Sequence, residues 1–261
     1  MIPDPVLEVR VRRGLPLTFL TEKGRSISSR AIREEEFEEC LMLATEHSLY
    51  AMTERLVSGY LPLRGGVRVG VAGEGVSEGR SIKNVKNVTS LVYRVPHQIF
   101  GASDFIRIDG NFKQNVLIVS PPACGKTTLL RDLTRRLSNV GNNVAVLDER
   151  GEIGGVVKTE RTLDLGSNAD VLVGFPKRIA YENALRALSP DYIVTDELSG
   201  EEDVEGVLRA YYGGVKVVAT LHGKGDFVFY GIFSPLEKVF DRVIVLSKDP
   251  KVGSVVRDEK R

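Results

Sequence analysis

The sequence predicts an α/β protein in which a domain built on a mostly parallel sheet is preceded by a small α+β domain. Three observations predict it. Period-two alternation recurs in the first hundred residues. From about residue 114, short apolar runs alternate with helical patterns. Between these regimes, around Phe100-Gly101-Ala102-Ser103, the patterning breaks. The expected organisation is a first domain over 1–100, a linker over 101–113 and a second domain over 114–261.

In the first domain, residues 8–12 alternate, with Val9 and Val11 on one face and Arg10 and Arg12 on the other. Residues 67–71 set three valines against Arg68, and residues 91–95 set Leu91, Tyr93 and Val95 against Arg94, with Pro96 ending the strand. Between the first two strands, Phe37, Cys40, Leu41 and Ala44 share one face of a helix. Ser48 suits the N-cap of a second helix carrying Leu49, Met52 and Leu56, with Gly59 past its end, and Gly65-Gly66 suits a turn.

In the second domain, apolar runs at 116–119, 144–147, 171–173, 192–194 and 215–219 suit strands covered on both faces. Leu129, Leu130, Leu133 and Leu137 mark one intervening helix; Val204, Val207, Leu208 and Tyr211 mark another. Two short strands, 242–246 and 254–256, close the chain through Asp249-Pro250-Lys251-Val252-Gly253.

Composition narrows the function. The 261 residues carry 36 basic and 35 acidic side chains, net +1, so no nucleic-acid partner is expected. Two cysteines, Cys40 and Cys124, form no disulfide framework and suit a reducing cytoplasm. The N-terminal residues lack an apolar stretch of signal-peptide length, and the longest apolar runs fall far short of a membrane span, so a soluble protein is expected that could still dock on a membrane protein. The absence of Trp, only two Gln and the many charged residues lean towards a thermophile.

The segment Ser120-Pro121-Pro122-Ala123-Cys124-Gly125-Lys126-Thr127-Thr128 joins a buried strand to a helix. A tight loop leading into a helix N-terminus presents backbone N–H groups to phosphate. Lys126 adds a charge for the β/γ-phosphates of ATP, and the Thr127 hydroxyl can ligate Mg²⁺. Gly125-Lys126-Thr127 is intact, but Ser120 replaces the usual first glycine and Ala123 fills an inner position often held by Gly. Ser tolerates a tight turn less well than Gly, so weakened affinity is expected. Cys124 reads as a small residue packed in the loop.

Asp196-Glu197 follows the buried strand 192–195, with Asp196 70 residues after Lys126. A strand tip there would set Asp196 beside the Mg²⁺ shell and let Glu197 orient the attacking water. The alternative is an acidic pair opening the next helix. Asp148-Glu149-Arg150 ends an intermediate strand at the same expected sheet edge, and Glu149 competes with Glu197 as the base. Thr220-Leu221-His222-Gly223 ends a further strand, where His222 could sense the γ-phosphate or a neighbouring subunit. His47 and His97 lack such context and read as structural or surface residues.

These elements, with the segment 185–191 containing Arg186, resemble the secretion-ATPase superfamily, whose members have a RecA-like fold with Walker A, aspartate box, Walker B and histidine box in this order. Within it the chain resembles the stage III sporulation protein AA family at 8–12, 48–51, 65–70, 120–130, 148–153, 189–197 and 220–223. The resemblance implies a hexameric cytoplasmic ATPase at the inner face of the cell membrane. It would dock on an integral membrane component of a secretion-like apparatus during endospore formation. It assigns Lys126 and Thr127 to phosphates and Mg²⁺, Glu149 to the aspartate box, Asp196 and Glu197 to Walker B, and His222 to the histidine box.

If the first-domain strands share a sheet, its polar face carries an arginine stripe suited to phosphate or carboxylate. In a ring these arginines would approach a neighbour's nucleotide or its acidic strand tips; the alternative is a solvated face balanced by Glu. Arg186 is the rival trans-acting arginine. Two other functions stay open: a nucleotide-dependent scaffold with little turnover, and a nucleic-acid-stimulated ATPase.

Overall fold

The computed structural model describes residues 6–21, 23–45, 60–63, 67–78, 81–95, 98–157 and 160–261. The helix expected after Ser48, the Gly65-Gly66 turn, Pro96, His47 and His97 lie outside them. The chain divides into two compact units: Met1–His97 with Val157–Thr162, and Gln98–Val156 with Leu163–Arg261.

The first unit holds β1 (Val6–Arg12), β2 (Pro16–Thr21), β3 (Gly24–Ala31), α1 (Glu34–Ala44), β4 (Leu61–Pro62), β5 (Arg68–Glu78) and β6 (Ser81–Arg94). The strands form one sheet in the order β3-β2-β1-β6-β5-β4, antiparallel at every pairing. The three strands read from alternation are thus adjacent, and β2 and β3 extend the sheet beyond them. Val11, Val69 and Leu91 are buried with Phe37, Leu41 and Ala44 of α1. Arg13 stacks over Phe37, 4.3 Å from its ring centre, and the Tyr93 hydroxyl donates to the Cys40 carbonyl at 3.0 Å, fastening α1 to the sheet.

The opposite face carries the arginines. Arg68 stands opposite Arg94 across β5 and β6, and Arg10 opposite Val92 across β1 and β6. Arg10, Arg68 and Arg94 line one cavity of about 340 Å³ with Tyr60. Arg10 donates to Glu8 at 2.5 Å, Arg94 lies 3.7 Å from the same carboxylate, and Arg68 stacks over Tyr60 at 4.7 Å.

The second unit contains β7 (Val116–Ser120), α2 (Lys126–Asn139), β8 (Val144–Asp148), β11 (Ala169–Val173), α3 (Lys177–Asn183), a π-helical turn (Ala184–Leu188), β12 (Tyr192–Thr195), α4 (Glu201–Tyr212), β13 (Lys216–His222), a 3-10 helix (Gly231–Lys238), β14 (Arg242–Ser247) and β15 (Ser254–Lys260). A two-stranded ribbon of β9 (Val156–Val157) and β10 (Glu160–Arg161) interrupts it. The main sheet runs β11-β8-β12-β13-β7-β14-β15 and is parallel except for the β14–β15 hairpin. Alternate residues of one strand enter different cores. Leu117 and Val119 pack on one side, Val116 and Ile118 on the other, which is why these strands read as unbroken apolar runs.

The stretch 101–113, expected as a linker, is packed into this unit. Ser103 donates through its backbone N–H (2.8 Å) and hydroxyl (2.6 Å) to the buried Asp132 of α2. Ile106 and Phe112 join the core, and the Tyr192 hydroxyl donates to the Phe112 carbonyl at 2.7 Å. Burial of two apolar side chains holds the stretch down. The second unit also yields Val157–Thr162 to the first.

Candidate functional site

The strand order decides the site. β8, β12, β13 and β7 are consecutive neighbours, so four segments distant in sequence end along one edge of the sheet. His222 pairs with Ser120 across β13 and β7. A cavity of about 420 Å³ opens there.

One wall is the loop between β7 and α2. Pro122, Ala123, Gly125, Lys126, Thr127 and Thr128 line the cavity. Gly125 takes a left-handed φ of 88° at the N-cap of α2, a conformation that favours glycine. A Cβ there would also lie 3.4 Å from the Gly253 Cα in the β14–β15 turn. The first N–H groups of a helix have no intrahelical partner, and those of α2 begin at this wall. Ser120 is the last residue of β7, fully buried, its hydroxyl donating to the Pro121 carbonyl at 2.7 Å. A first glycine is therefore not required at 120; the left-handed turn falls on Ala123, at φ 57°. Cys124 is buried in the core, its thiol donating to the Pro122 carbonyl at 3.5 Å.

The opposite wall is acidic. Asp196 and Glu197 follow β12, and both line the cavity. Glu197 has a left-handed φ of 43°. Its N–H donates to the Thr220 hydroxyl at 2.8 Å, and the next N–H, of Leu198, to the Thr220 carbonyl at 2.8 Å. Burial pushes the Asp196 carboxyl up to about 6; the Lys177 ammonium works against that shift.

Polar contacts cross the cavity. Lys126 Nζ donates to the Ser120 carbonyl (3.0 Å), the Pro121 carbonyl (3.1 Å) and His222 Nδ1 (3.1 Å). An ammonium has no acceptor, so Nδ1 accepts and the imidazole proton sits on Nε2. That nitrogen is 3.6 Å from Glu197 Oε1. Burial lowers the pKa of Lys126. Arg150 donates to Glu197 Oε2 at 2.5 Å.

Glu149 and Arg186 are exposed and are not among the lining residues. Asp148 explains the former. Its buried carboxylate accepts the N–H groups of Glu152 (2.7 Å), Ile153 (3.1 Å) and Gly154 (2.8 Å), folding the loop back on itself. Glu152 thereby lines the cavity instead of Glu149. Arg186 stands on the π-helical turn. Sequence reasoning missed Glu152, Arg150, Thr220 and Lys177. Three of them sit within or beside motifs already singled out, whereas nothing around Lys177 marks it.

Among the described residues no cluster of three His, Cys, Asp or Glu could hold a metal unaided. The lining suits Mg²⁺ nonetheless, because that ion keeps water and phosphate oxygens and takes only one or two protein oxygens. Asp196 is a buried carboxylate whose charge gains from a divalent cation, and the Thr127 hydroxyl is in the same cavity.

Residues 2–260 match the family model described as "Sporulation stage III, protein AA". The chain belongs to the stage III sporulation protein AA family. Its curated relative "Stage III sporulation protein AA" of Bacillus subtilis (strain 168) is 32% identical over 259 residues, covering 95% of this chain and 84% of the relative. Among solved structures, the pilus retraction motor PilT with bound ADP aligns at TM-score 0.63 and 16% identity, over 94% of this chain and 75% of that one. The Legionella pneumophila ATPase DotB aligns at TM-score 0.59 and 16% identity, over 92% and 72%. This member of the family therefore has the fold of the RecA-like secretion ATPases, with an antiparallel sheet domain ahead of it.

Proposed function

We propose that the chain is a Mg²⁺-dependent ATPase that hydrolyses ATP to ADP and phosphate, works as a homo-oligomer (a hexamer by resemblance), and powers assembly of, or transport through, a secretion-like apparatus of the sporulation type. The observation that carries this reading is the single cavity in which the loop 122–128 meets Asp196, Glu197 and His222.

In this reading Lys126 exchanges its carbonyl and imidazole partners for phosphate oxygens, a stronger charge-assisted contact. The N-terminal amides of α2 receive the remaining phosphate charge. Thr127 and Asp196 would hold Mg²⁺, which neutralises charge on the phosphates. Glu197 orients the attacking water once Arg150 releases it. His222 contacts both Lys126 and Glu197 and so links the phosphate-binding side to the hydrolytic side.

A second assignment of the base rests on one observation: Glu197 is paired with Arg150, while Glu152 also lines the cavity. Under this assignment Glu152 takes the water's proton and Glu197 supports Asp196.

No helix among the described residues is long and apolar enough to cross a membrane. The proposed place of action, the cytoplasmic face of the cell membrane, is then reached through an integral membrane partner.

The test is phosphate release from the wild type beside Glu197→Gln and Glu152→Gln, with solution mass measured with and without ATP. Turnover in the wild type, a larger mass with ATP and loss of turnover in one glutamine variant are expected. Equal, near-zero rates in all three would leave a nucleotide-dependent scaffold.

A further inference from the structure

We infer that Lys177 is a positioning residue that holds the acidic strand tip in the shape needed for Mg²⁺–nucleotide recognition; this rests on the ATPase reading above. Lys177 opens α3 and is only 9% exposed. Its ammonium donates to the backbone carbonyls of Asp196 (2.7 Å) and Glu197 (2.5 Å) and lies 3.1 Å from Asp203 Oδ1. Two of its N–H groups are thus taken by carbonyls, while Asp203 Oδ1 is an ion-pair partner that receives no hydrogen bond. Both carbonyls belong to the very residues whose side chains line the cavity.

The arrangement is specific to that bend. Glu197 is in the left-handed region, which a residue with a side chain keeps only when its surroundings over-determine it. Thr220 restrains its N–H, and Lys177 restrains its carbonyl. With both ends of the residue fixed, its side chain is aimed into the cavity. A buried Lys–Asp pair is weak evidence for stability, because an apolar pair of equal volume often serves as well. Here the cation is spent on the acidic tip.

The helices are shaped to deliver it. Lys177 and Tyr181 lie one turn apart on α3, and Asp203 and Gly206 one turn apart on α4. A Cβ on Gly206 would fall 2.3 Å from the Tyr181 ring, so only glycine admits this approach of the two helices. Asp203 faces Lys177 with one oxygen. The other accepts the N–H groups of Ser199 (2.7 Å) and Gly200 (3.1 Å), bracing the segment that follows Glu197.

The test uses the full chain with Lys177→Met, Lys177→Arg, and Lys177→Met combined with Asp203→Asn, which removes the stranded carboxylate charge while keeping an acceptor for α4. Two readouts are needed: kcat and KM for ATP, and binding of a fluorescent, non-hydrolysable ATP analogue in EDTA and in Mg²⁺. Lys177→Met is expected to lose about 10–100-fold in kcat with KM within about threefold. Metal-free binding should hold while tightening by Mg²⁺ is lost, and Lys177→Arg should recover part of both. Wild-type kcat and Mg²⁺ response in a folded Lys177→Met protein, alone or with Asp203→Asn, would overturn the inference. So would loss of fold in both, which makes Lys177 structural only. A wild type that binds Mg²⁺–nucleotide without hydrolysing it overturns the ATPase reading alone, and the Mg²⁺ arm still decides Lys177. A wild type that binds no nucleotide sinks both.

Discussion

The two sheets each carry a polar cavity of similar size, about 420 Å³ at the edge of the parallel sheet and about 340 Å³ on the face of the antiparallel one, but they are built differently. The first gathers a lysine, hydroxyls and carboxylates from strand ends, the loops after them and the start of α2. The second is a row of arginines projecting from within strands. A strand alternates its side chains, so the arginine face follows from local sequence. A sheet edge collects whatever the neighbouring strands end in, so its chemistry depends on strand order. Similar volume thus hides unequal dependence on the rest of the fold.

The sharpest break in the comparison is made at the edge. Lys126→Ala should lower turnover roughly 10²–10³-fold, and Glu197→Gln should do the same if Glu197 is the base, both read by phosphate release. Glu152→Gln decides the assignment: a loss as large there, with a mild effect at Glu197, moves the base to Glu152.

Next in size is the helix contact behind the edge. Ala is the better helix former, yet Gly206→Ala should destabilise by about 1–3 kcal/mol because the added methyl overlaps the Tyr181 ring. A denaturant titration checks it, and an unchanged midpoint would show that α3 and α4 can separate at no cost.

An effect of similar size and opposite sign is expected at Asp196. Its pKa of about 6 in the fold lies above the ordinary 3.8, so the protonated form is favoured on folding. Its contribution is fully present below about pH 4 and is lost as the pH rises through about 6. Asp196→Asn should therefore stabilise the nucleotide-free protein at pH 8 by about 1–3 kcal/mol and have little effect at pH 4, while turnover is lost. Thermal melts at the two pH values read the difference.

The least effect is expected on the arginine face. If it acts on a neighbouring subunit, Arg10→Ala and Arg68→Ala should reduce turnover of the oligomer by roughly tenfold or less and leave melting nearly unchanged. Arg186→Ala is the matching control for the rival arginine. Unchanged turnover in both sheet variants would leave the arginine row as a solvated face.

Much of this molecule was legible before its structure. The strand-to-helix loop at 120–128 reads directly because its residues are contiguous. The Asp196-Glu197 tip reads because an apolar strand precedes it. Glu149 illustrates the limit: three amides bound to the Asp148 carboxylate turn the loop so that Glu152 lines the cavity, and no periodicity encodes that turn. The 101–113 stretch is another case, since its apolar residues, interspersed with Gly, Asp and Asn, look linker-like until a core is available to bury Ile106 and Phe112.

By itself the sequence determined what its short-range order can carry: the alternating arginines, the strand-to-helix loop with Gly125-Lys126-Thr127, and the apolar runs that demand two covered faces. Tertiary structure alone decided which strand ends are neighbours, that Lys177 reaches the carbonyls of Asp196 and Glu197, and that Arg150 and His222 both meet Glu197. The reason is physical. Local pattern is set by the geometry of one element, whereas these contacts join residues 19 to 47 positions apart, and strand order and helix packing alone bring them together.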